Sequence, residues 1–301
     1  MRYISPLRYP GGKARLAPYI GHLMVRQRPR PRSYAEAFAG GAGAALRLLL
    51  DEEVDHIYIN DLDPGVAALW RCIFHHTEDL AVMVESEEVS IDAWHRHSEI
   101  YRAPQGRADI ELGFSTFFLN RCNRSGILRA RPIGGLDQSG EWKIDARFNR
   151  EALAQRIRNL GKYSARVSVS QKDARAFIKE LEPNREDILL YVDPPYLVQG
   201  DRLYLDSLTE SDHADLATIL RETPLRWLLT YDADKRITEQ LYKGFRCVEF
   251  SILHTAQIQR TGVEYAVFGN QLILPEVTGI IGEGNYRWMT SKRKKRTQES
   301  R

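Results

Sequence analysis

Short apolar segments alternate with amphipathic segments along most of the chain. Residues 188–192, Ile-Leu-Leu-Tyr-Val, form a continuous apolar run, which is typical of a central parallel strand buried on both faces. This rhythm predicts an α/β fold with a doubly wound, mostly parallel sheet. The predicted strands are 33–37, 56–60, 165–170, 188–192, 225–230, 245–252 and 264–268, and the predicted helices between them are 44–50, 63–70, 174–181, 210–222 and 237–242.

Residues 72–162 interrupt the alternation. They contain two helical patterns, at 79–86 and 90–101, and an irregular glycine-containing stretch at 121–142. Irregular segments of this length in a compact domain are usually functional. The predicted organisation has four parts: 1–71 and 163–278 are the two parts of one domain, 72–162 is a mainly helical insertion, and 279–301 is a basic, disordered tail.

Composition narrows the class of protein. The 301 residues are 43% hydrophobic and 28% charged, as in ordinary globular proteins. The net charge of +3 comes from the end of the chain, where residues 292–301 include six basic residues and one acidic. No apolar run is long enough for a membrane span, and residues 1–6 have no apolar signal core. The spacing of the three cysteines and eight histidines predicts neither disulfides nor a metal site.

A glycine-rich loop follows the first predicted strand. Residues 38–43, Phe-Ala-Gly-Gly-Ala-Gly, lead into a helix, and Asp61 ends the next strand 21 residues after Gly40. Such a loop lets backbone N–H groups approach a ligand, and a carboxylate at this spacing meets ribose hydroxyls in nucleoside-binding folds. Leu46 breaks the dinucleotide pattern G-x-G-x-x-G, which disfavours a nicotinamide oxidoreductase. The alternative is a plain glycine turn with an aspartate that caps the next helix.

A second motif, Asp193-Pro-Pro-Tyr196, ends the apolar strand 188–192. The prolines cannot donate N–H bonds and hold the chain extended, so they fix Asp193 and leave carbonyl oxygens as acceptors. A carboxylate, carbonyl acceptors and the Tyr196 ring suit a planar exocyclic amine. A simple turn after the strand is the alternative.

Three separated stretches together resemble the D12-class, Dam-like family of adenine-N6 DNA methyltransferases. The stretches are residues 6–13, 36–43 and 193–196, and they occur in the order of the family's N-terminal, cofactor and catalytic motifs. The resemblance extends over most of residues 5–270. It implies a Rossmann-like S-adenosylmethionine-dependent methyltransferase fold with an inserted, mainly helical target-recognition domain.

The resemblance also implies roles for individual residues. Asp193 and the Pro194 carbonyl would bind the target amine, Pro195 would stiffen the motif, and Tyr196 would stack on a flipped-out adenine. For S-adenosylmethionine, Asp61 would hold the ribose hydroxyls, and Asp173 would contact the adenine or simply cap a helix. The other cofactor-binding residues would be Tyr9, Gly11, Lys13, Phe38, Gly40 and Gly43.

The inserted segment is where we expect DNA sequence to be read. Arginine pairs with guanine edges and asparagine with adenine edges, although loop caps or phosphate contacts are equally open for these residues. The stretch departs from the Dam pattern, so a GATC target is not implied. The candidate DNA-binding residues are Arg121, Asn123, Arg124, Ser125 and Arg129, and the arginines of residues 26–32 are further candidates for phosphate contacts.

The sequence thus predicts a bacterial or phage methyltransferase that acts in the cytoplasm on double-stranded DNA. We expect a monomer, with up to two copies on one DNA site, and neither a membrane nor a metal partner. The same chemistry on RNA adenine or cytosine N4, or a silent DNA-binding relative, is the alternative. The recognition sequence and any cognate restriction enzyme are not assigned by the sequence.

Overall fold

The computed structural model describes residues 4–8, 13–195, 197, 208–254, 260–275, 279–281 and 286–289. Within them one sheet has the strand order β3-β2-β1-β4-β5-β7-β6-β8. The strands are β1 (Ser33–Glu36), β2 (His56–Asn60), β3 (Val167–Ser170), β4 (Ile188–Val192), β5 (Arg226–Asp232), β6 (Arg246–His254), β7 (Arg260–Phe268) and β8 (Tyr286–Trp288).

Strands β1 to β5 pair in parallel, whereas β7 joins β5 in antiparallel orientation and pairs with β6 on its other side. The centre of the sheet is the β1–β4 pair, in which Glu36 lies opposite Tyr191. Strand order reverses here, because β2 and β3 lie on one side of the pair and β5 on the other. The mixed α/β fold with a mostly parallel sheet is therefore as predicted.

Both faces of the central strands are buried because their side chains alternate between two apolar cores. Tyr34 of β1 and Leu189 of β4 enter the larger core, while Ala35 and Leu190 enter the smaller one on the opposite face. This explains why β4 has no polar position.

The helices cover both faces of the sheet. Polar side chains cap the amino ends of several helices. Asp63 accepts bonds from Gly65 N and Val66 N, and Thr209 and Asp212 form a capping box. The helices are α1 (Ala17–Arg26), α2 (Gly43–Leu50), α3 (Pro64–His75), α4 (Thr77–Ser86), α5 (Ile91–Arg102), α6 (Asp109–Cys122), α7 (Arg150–Gly161), α8 (Ala174–Leu181) and α9 (Glu210–Glu222).

Residues 72–162 contain the helical run α4 to α7, as the sequence pattern indicates. Helices α4, α6 and α7 pack on α3, and α5 packs on α6. Trp94 and Phe117 share the larger core with Ile57 of the sheet. At the α3–α6 crossing, a Cβ on Gly113 would lie 2.8 Å from Cys72 Sγ, so glycine permits the close approach. Whether this segment is a separate domain stays a prediction.

Some boundaries differ from the sequence expectations. The predicted tail begins at 279, but residues 286–288 form β8 and pair with β6, so a disordered tail is wrong for this part. Tyr286 and Trp288 pack against the larger core, which gives the strand its anchor. The predicted helix at 237–242 is a π-helical turn, Ile237–Leu241.

Within the described residues, no helix is both long and apolar enough to cross a bilayer.

Candidate active site

The glycine loop lies where strand order reverses. Ala37 N donates to Tyr191 O (3.1 Å) and Ala39 N donates to Asn60 O (2.8 Å), so the loop is tied to β4 on one side and β2 on the other. Gly40 has a φ of +46°, a conformation that glycine adopts without strain. In open α/β sheets, ligands bind in the crevice outside the carboxyl ends of the strands at this position.

Asp61 lies against this loop. Its Oδ2 accepts a hydrogen bond from Gly40 N (2.8 Å) and its Oδ1 accepts one from Asp63 N (3.0 Å). The two residues that the sequence connects through a 21-residue spacing are therefore in direct contact. The carboxylate both shapes the loop and stands at the edge of the strand-end crevice.

A cleft with an empty volume of about 340 Å³, part of it open to solvent, lies beside the loop. Phe38 and Leu62 contribute apolar walls, and Asp173 contributes a carboxylate. Asp173 also caps α8 through Arg175 N (2.8 Å) and pairs with the Arg175 guanidinium (2.7 Å). That hydrogen-bonded ion pair lowers the pKa of Asp173. Asp173 therefore caps α8 and also lines the cleft.

Gly43 begins α2 beside the 3-10 helix Lys13–Leu16. A Cβ at this position would lie 3.2 Å from both the backbone N and the Cβ of Ala14. Glycine therefore allows the amino-terminal segment to pack against the loop. This contact brings Lys13 to the carboxyl edge of the sheet.

Asp193 is held from two directions directly after β4. Its Oδ2 lies 3.0 Å from Lys13 Nζ, and its Oδ1 accepts a bond from Thr230 Oγ1 (2.7 Å). The side chain is 19% exposed, whereas Lys13 is only 5% exposed. Tyr191 OH is 2.6 Å from Thr230 Oγ1, which anchors the threonine within the sheet. Pro194 and Pro195 follow, so the carboxylate stands at the open edge with no N–H donor on the next two residues.

Two more carboxylates lie near the Lys13–Asp193 pair. Glu264 of β7 is 1% exposed, and its Oε1 lies 3.3 Å from Lys13 Nζ. Asp232 of β5 accepts a bond from Leu197 N (3.3 Å), just beyond the Asp-Pro-Pro motif. Burial raises the pKa of Asp232. Side chains of β5 and β7 therefore lie on one side of the Asp193-Pro-Pro motif.

The sequence pattern does not single out Thr230, Asp232 and Glu264. Each lies in a strand of the sheet, and the pattern does not show that β7 is the antiparallel neighbour of β5. A signal was present in Glu264, a charged residue within the otherwise apolar run of residues 263–268. Buried charges occur mainly where a partner compensates them.

Glu36 is a further buried acid, below the glycine loop. Its Oε1 accepts bonds from Ala45 N (2.9 Å) and Tyr34 OH (3.2 Å). Burial raises the pKa of Glu36 to about 8, although the hydrogen bonds from Ala45 and Tyr34 oppose the shift. This side chain is therefore mainly protonated at neutral pH and connects β1 to the start of α2.

Asn120 connects the helical segment to the amino-terminal segment. Its Oδ1 accepts from Arg8 N (2.8 Å), and its Nδ2 donates to Arg8 O and Gly126 O, both at 2.9 Å. Gly126 has a φ of +76°, and a Cβ there would lie 2.1 Å from Arg8 O. The loop after α6 and the residues that precede Lys13 are thus fixed to each other.

Two of the candidate DNA-binding residues form hydrogen bonds within the loop. Asn123 is fully buried: Trp94 Nε1 donates to its Oδ1 (2.6 Å), and its Nδ2 donates to Ile127 O and Leu128 O. Arg121 donates to Arg147 O (2.8 Å), and burial lowers its pKa to about 9. Both side chains brace the loop in this structure, and their role as DNA contacts stays a prediction.

The other candidates lie closer to solvent. Arg124 and Arg129 are exposed, and Ser125 is partly buried with a φ of +57°. Farther along the loop Trp142 is 58% exposed, and the Arg147 guanidinium lies 5.6 Å from the centre of its ring. The loop therefore presents positive charge and one aromatic surface to solvent.

The arginines of residues 26–32 lie at the wrong edge for the predicted phosphate contacts. They precede β1, whereas Asp193 follows β4, which runs parallel to β1. Arg30 pairs with Glu53 (3.0 Å) and Arg32 pairs with Asp55. This cluster stands at the amino edge of the sheet, opposite the site, and acidic neighbours neutralise part of its charge.

Tyr9, Gly11 and Tyr196 lie outside the described residues. Lys13, Phe38, Gly40, Gly43, Asp61 and Asp193 all occur along the carboxyl edge of the sheet or in the segment packed against it. Among the residues described, no group of three or more histidine, cysteine, aspartate or glutamate side chains could hold a metal ion.

Comparison with known proteins gives the family. A search of curated proteins found no match. A family model described as D12 class N6 adenine-specific DNA methyltransferase matches residues 9–260. The match includes the glycine loop, the helical segment and Asp193, and it confirms the resemblance seen in the motifs. Because it spans most of the 301 residues, the chain belongs to the D12 class of N6 adenine-specific DNA methyltransferases.

Proposed function

We propose that this protein transfers a methyl group from S-adenosylmethionine to N6 of an adenine that is flipped out of double-stranded DNA. The observation that carries the proposal is the position of Asp193. It stands at the switch point of the sheet, held by Lys13 and Thr230, next to the glycine loop. Family membership supports DNA adenine methylation in general.

Asp193 and the Pro194 carbonyl would accept the two N–H bonds of the target amine. The lone pair of adenine N6 is delocalised into the ring, so the amine is a poor nucleophile. Two acceptors favour a tetrahedral nitrogen and fix the direction of its lone pair. Positioning of this kind can supply much of a rate enhancement. Lys13 and Thr230 keep the carboxylate in one orientation and so lower the cost of ordering it on substrate binding.

The cleft beside the glycine loop fits the adenosyl part of S-adenosylmethionine. Phe38 and Leu62 would contact the adenine ring, and Asp173 would accept from its amino group. Asp61, which accepts from Gly40 N of the adjacent loop, would accept from ribose hydroxyls. Tyr9, Gly11 and Lys13 are assigned to the methionine end by resemblance alone. When bound, S-adenosylmethionine supplies an activated methyl group on a sulfonium.

The loop between α6 and α7 is the proposed DNA-reading surface. Arg124 and Arg129 are its exposed candidates, and Ser125 is an additional polar contact. Flipping one base out of the stack costs a few kcal/mol, and phosphate contacts by arginine can offset it. Tyr196 would stack on the extruded ring. We propose that one copy of the protein suffices for each methyl transfer.

The test is transfer of labelled methyl from S-adenosylmethionine to unmethylated genomic DNA, followed by nucleoside analysis. We expect N6-methyldeoxyadenosine in one sequence context, and none with Asp193→Ala or Asp193→Asn. Asp51→Asn is the matched control, because Asp51 is half-exposed and pairs with Arg47 on α2. A fully active Asp193→Ala enzyme would refute the proposed role.

Other products would point to other functions. Label on RNA alone, or on cytosine N4, would indicate that the same fold acts on a different substrate. Tight DNA binding without any cofactor binding in calorimetry would indicate a silent relative.

A further inference from the structure

We propose that Arg175 is a positioning residue for the cofactor: it orients Asp173 so that this carboxylate recognises the amino group on the adenine ring of S-adenosylmethionine. This inference rests on the proposed function, which places Asp173 beside that ring. Neither the sequence motifs nor the family resemblance assigns a role to Arg175.

The Arg175 guanidinium binds Asp173 through two parallel hydrogen bonds. Its Nε donates to Oδ1 (2.8 Å) and its Nη2 donates to Oδ2 (2.7 Å). Oδ1 also accepts from Arg175 N (2.8 Å), which is the bond that caps α8. The cap bond reaches one oxygen, whereas the guanidinium reaches both and therefore fixes the plane of the carboxylate.

The third nitrogen of the guanidinium connects α8 to α9. Nη1 donates to Asp212 Oδ1 (3.0 Å) and to Asp215 Oδ2 (3.3 Å). Asp212 is itself fixed, because its Oδ2 accepts from Thr209 N (3.0 Å) and Thr209 Oγ1 (2.7 Å) in the capping box. The guanidinium is thus anchored at α9, and Asp173 is held in place from a second helix.

This network forms part of the wall of the cleft that we assign to the adenosyl group. The lining residues from the starts of the two helices are Asp173, Ala174, Arg175, Leu208, Asp212 and Leu216. Leu216 also belongs to the smaller core, so this wall is fixed to the body of the protein. An adenine ring that enters the cleft therefore meets a carboxylate whose direction is set before binding, which lowers the cost of ordering it.

The contacts account for the state of Asp173 better than for the stability of the fold. Hydrogen bonds from the Arg175 side chain lower the pKa of Asp173, so this carboxylate stays an ionised acceptor at neutral pH. Arg175 is 32% exposed and Asp173 is 38% exposed, and ion pairs this open to water contribute little to stability. Orientation of the carboxylate is therefore the main effect of the network.

The experiment measures binding by calorimetry in the full-length protein with two ligands: S-adenosylhomocysteine and its analogue in which hydrogen replaces the amino group of adenine. The wild-type protein should prefer the first ligand, because that amino group donates to Asp173. Arg175→Met keeps an unbranched side chain without the guanidinium. We expect the preference to fall about tenfold in this variant, as the loss of one hydrogen bond to a charged acceptor predicts. The KM for S-adenosylmethionine should rise with kcat unchanged, since the bond is the same in the ground and transition states.

Arg158→Met is the matched control. Arg158 is 29% exposed and pairs with Glu78 and Glu85, so it joins α7 to α4 within the helical segment, and its loss should leave the binding of both ligands at the wild-type value. Arg175→Lys is the conservative variant: an ammonium cannot form the two-bond fork, so its preference should lie between those of wild type and Arg175→Met. Because Arg175 acts through Asp173, adding Arg175→Met to Asp173→Ala should not lower the preference further.

An equal loss of affinity for both ligands in Arg175→Met would indicate a structural role alone and overturns the inference, as does an unchanged preference. If Arg175→Met does not fold, Arg175→Lys decides, since an unchanged preference there has the same meaning. A wild-type protein that binds the two ligands equally overturns the role of Asp173, and with it this inference, while DNA methylation stands. A wild-type protein that neither binds S-adenosylhomocysteine nor methylates DNA overturns the proposed function itself.

Discussion

Replacement of Asn120 by alanine tests whether the helical segment and the amino-terminal segment are joined as the structure shows. The variant removes three hydrogen bonds, from Arg8 N and to Arg8 O and Gly126 O. Asn120 is 1% exposed, so water does not easily replace its amide. At about 1 kcal/mol for each bond, Asn120→Ala should lower the free energy of unfolding by about 3 kcal/mol.

The assay is urea unfolding followed by tryptophan fluorescence, together with calorimetry. A loss of about 3 kcal/mol corresponds to a fall in Tm of about 5 °C for a protein of this size. Asn159→Ala is the matched control, since Asn159 accepts only from Gln155 and Lys162 near the surface of α7, and it should change stability by less than about 0.5 kcal/mol. An Asn120→Ala protein as stable as the Asn159→Ala control would refute the reasoning.

Three further predictions concern charge and polarity. Thr230→Val keeps the shape but removes the bond to Asp193 Oδ1; we expect kcat to fall about tenfold, the equivalent of one hydrogen bond, while Thr230→Ser restores it in steady-state assays. The raised pKa of Glu36, about 8, means that its contribution to stability is lost as pH rises from about 4.5 through 8; Glu36→Gln should flatten this decline in urea titrations at several pH values. Arg129→Ala should lower the slope of log DNA affinity against log salt by about one, as loss of one phosphate contact does, whereas an unchanged slope would remove Arg129 from the interface.

Strand β4 was predictable from sequence because both its faces are apolar. Strand β2 has the predicted bounds, and β4 begins and ends where its apolar run does. The contact between Gly40 and Asp61 also follows from the pattern, since parallel neighbours end at the same edge. Local composition is sufficient in these cases because each strand is defined by its own residues.

Features that depend on remote partners could not be predicted in this way. Nothing in the local sequence shows that Lys13 meets Glu264, which lies on the antiparallel strand β7. Asn123 has the groups that read a base edge, but its burial under Trp94 is decided by packing between α5 and the loop. Polar side chains that bind substrate and those that brace a loop are chemically identical, and only tertiary contacts separate them.

The central β1–β4 pair has a consequence for how the protein is made on the ribosome. Ser33 Oγ donates to Asp187 across a separation of 154 residues, so the glycine loop is synthesised long before the strand that leads to Asp193. Until β4 emerges, one edge of β1 has no neighbour, and at about 5–20 residues per second the delay is on the order of 10 to 30 s. The helical segment is made during this interval and can fold on α3 first. The nascent chain therefore has its helical segment before it has Asp193.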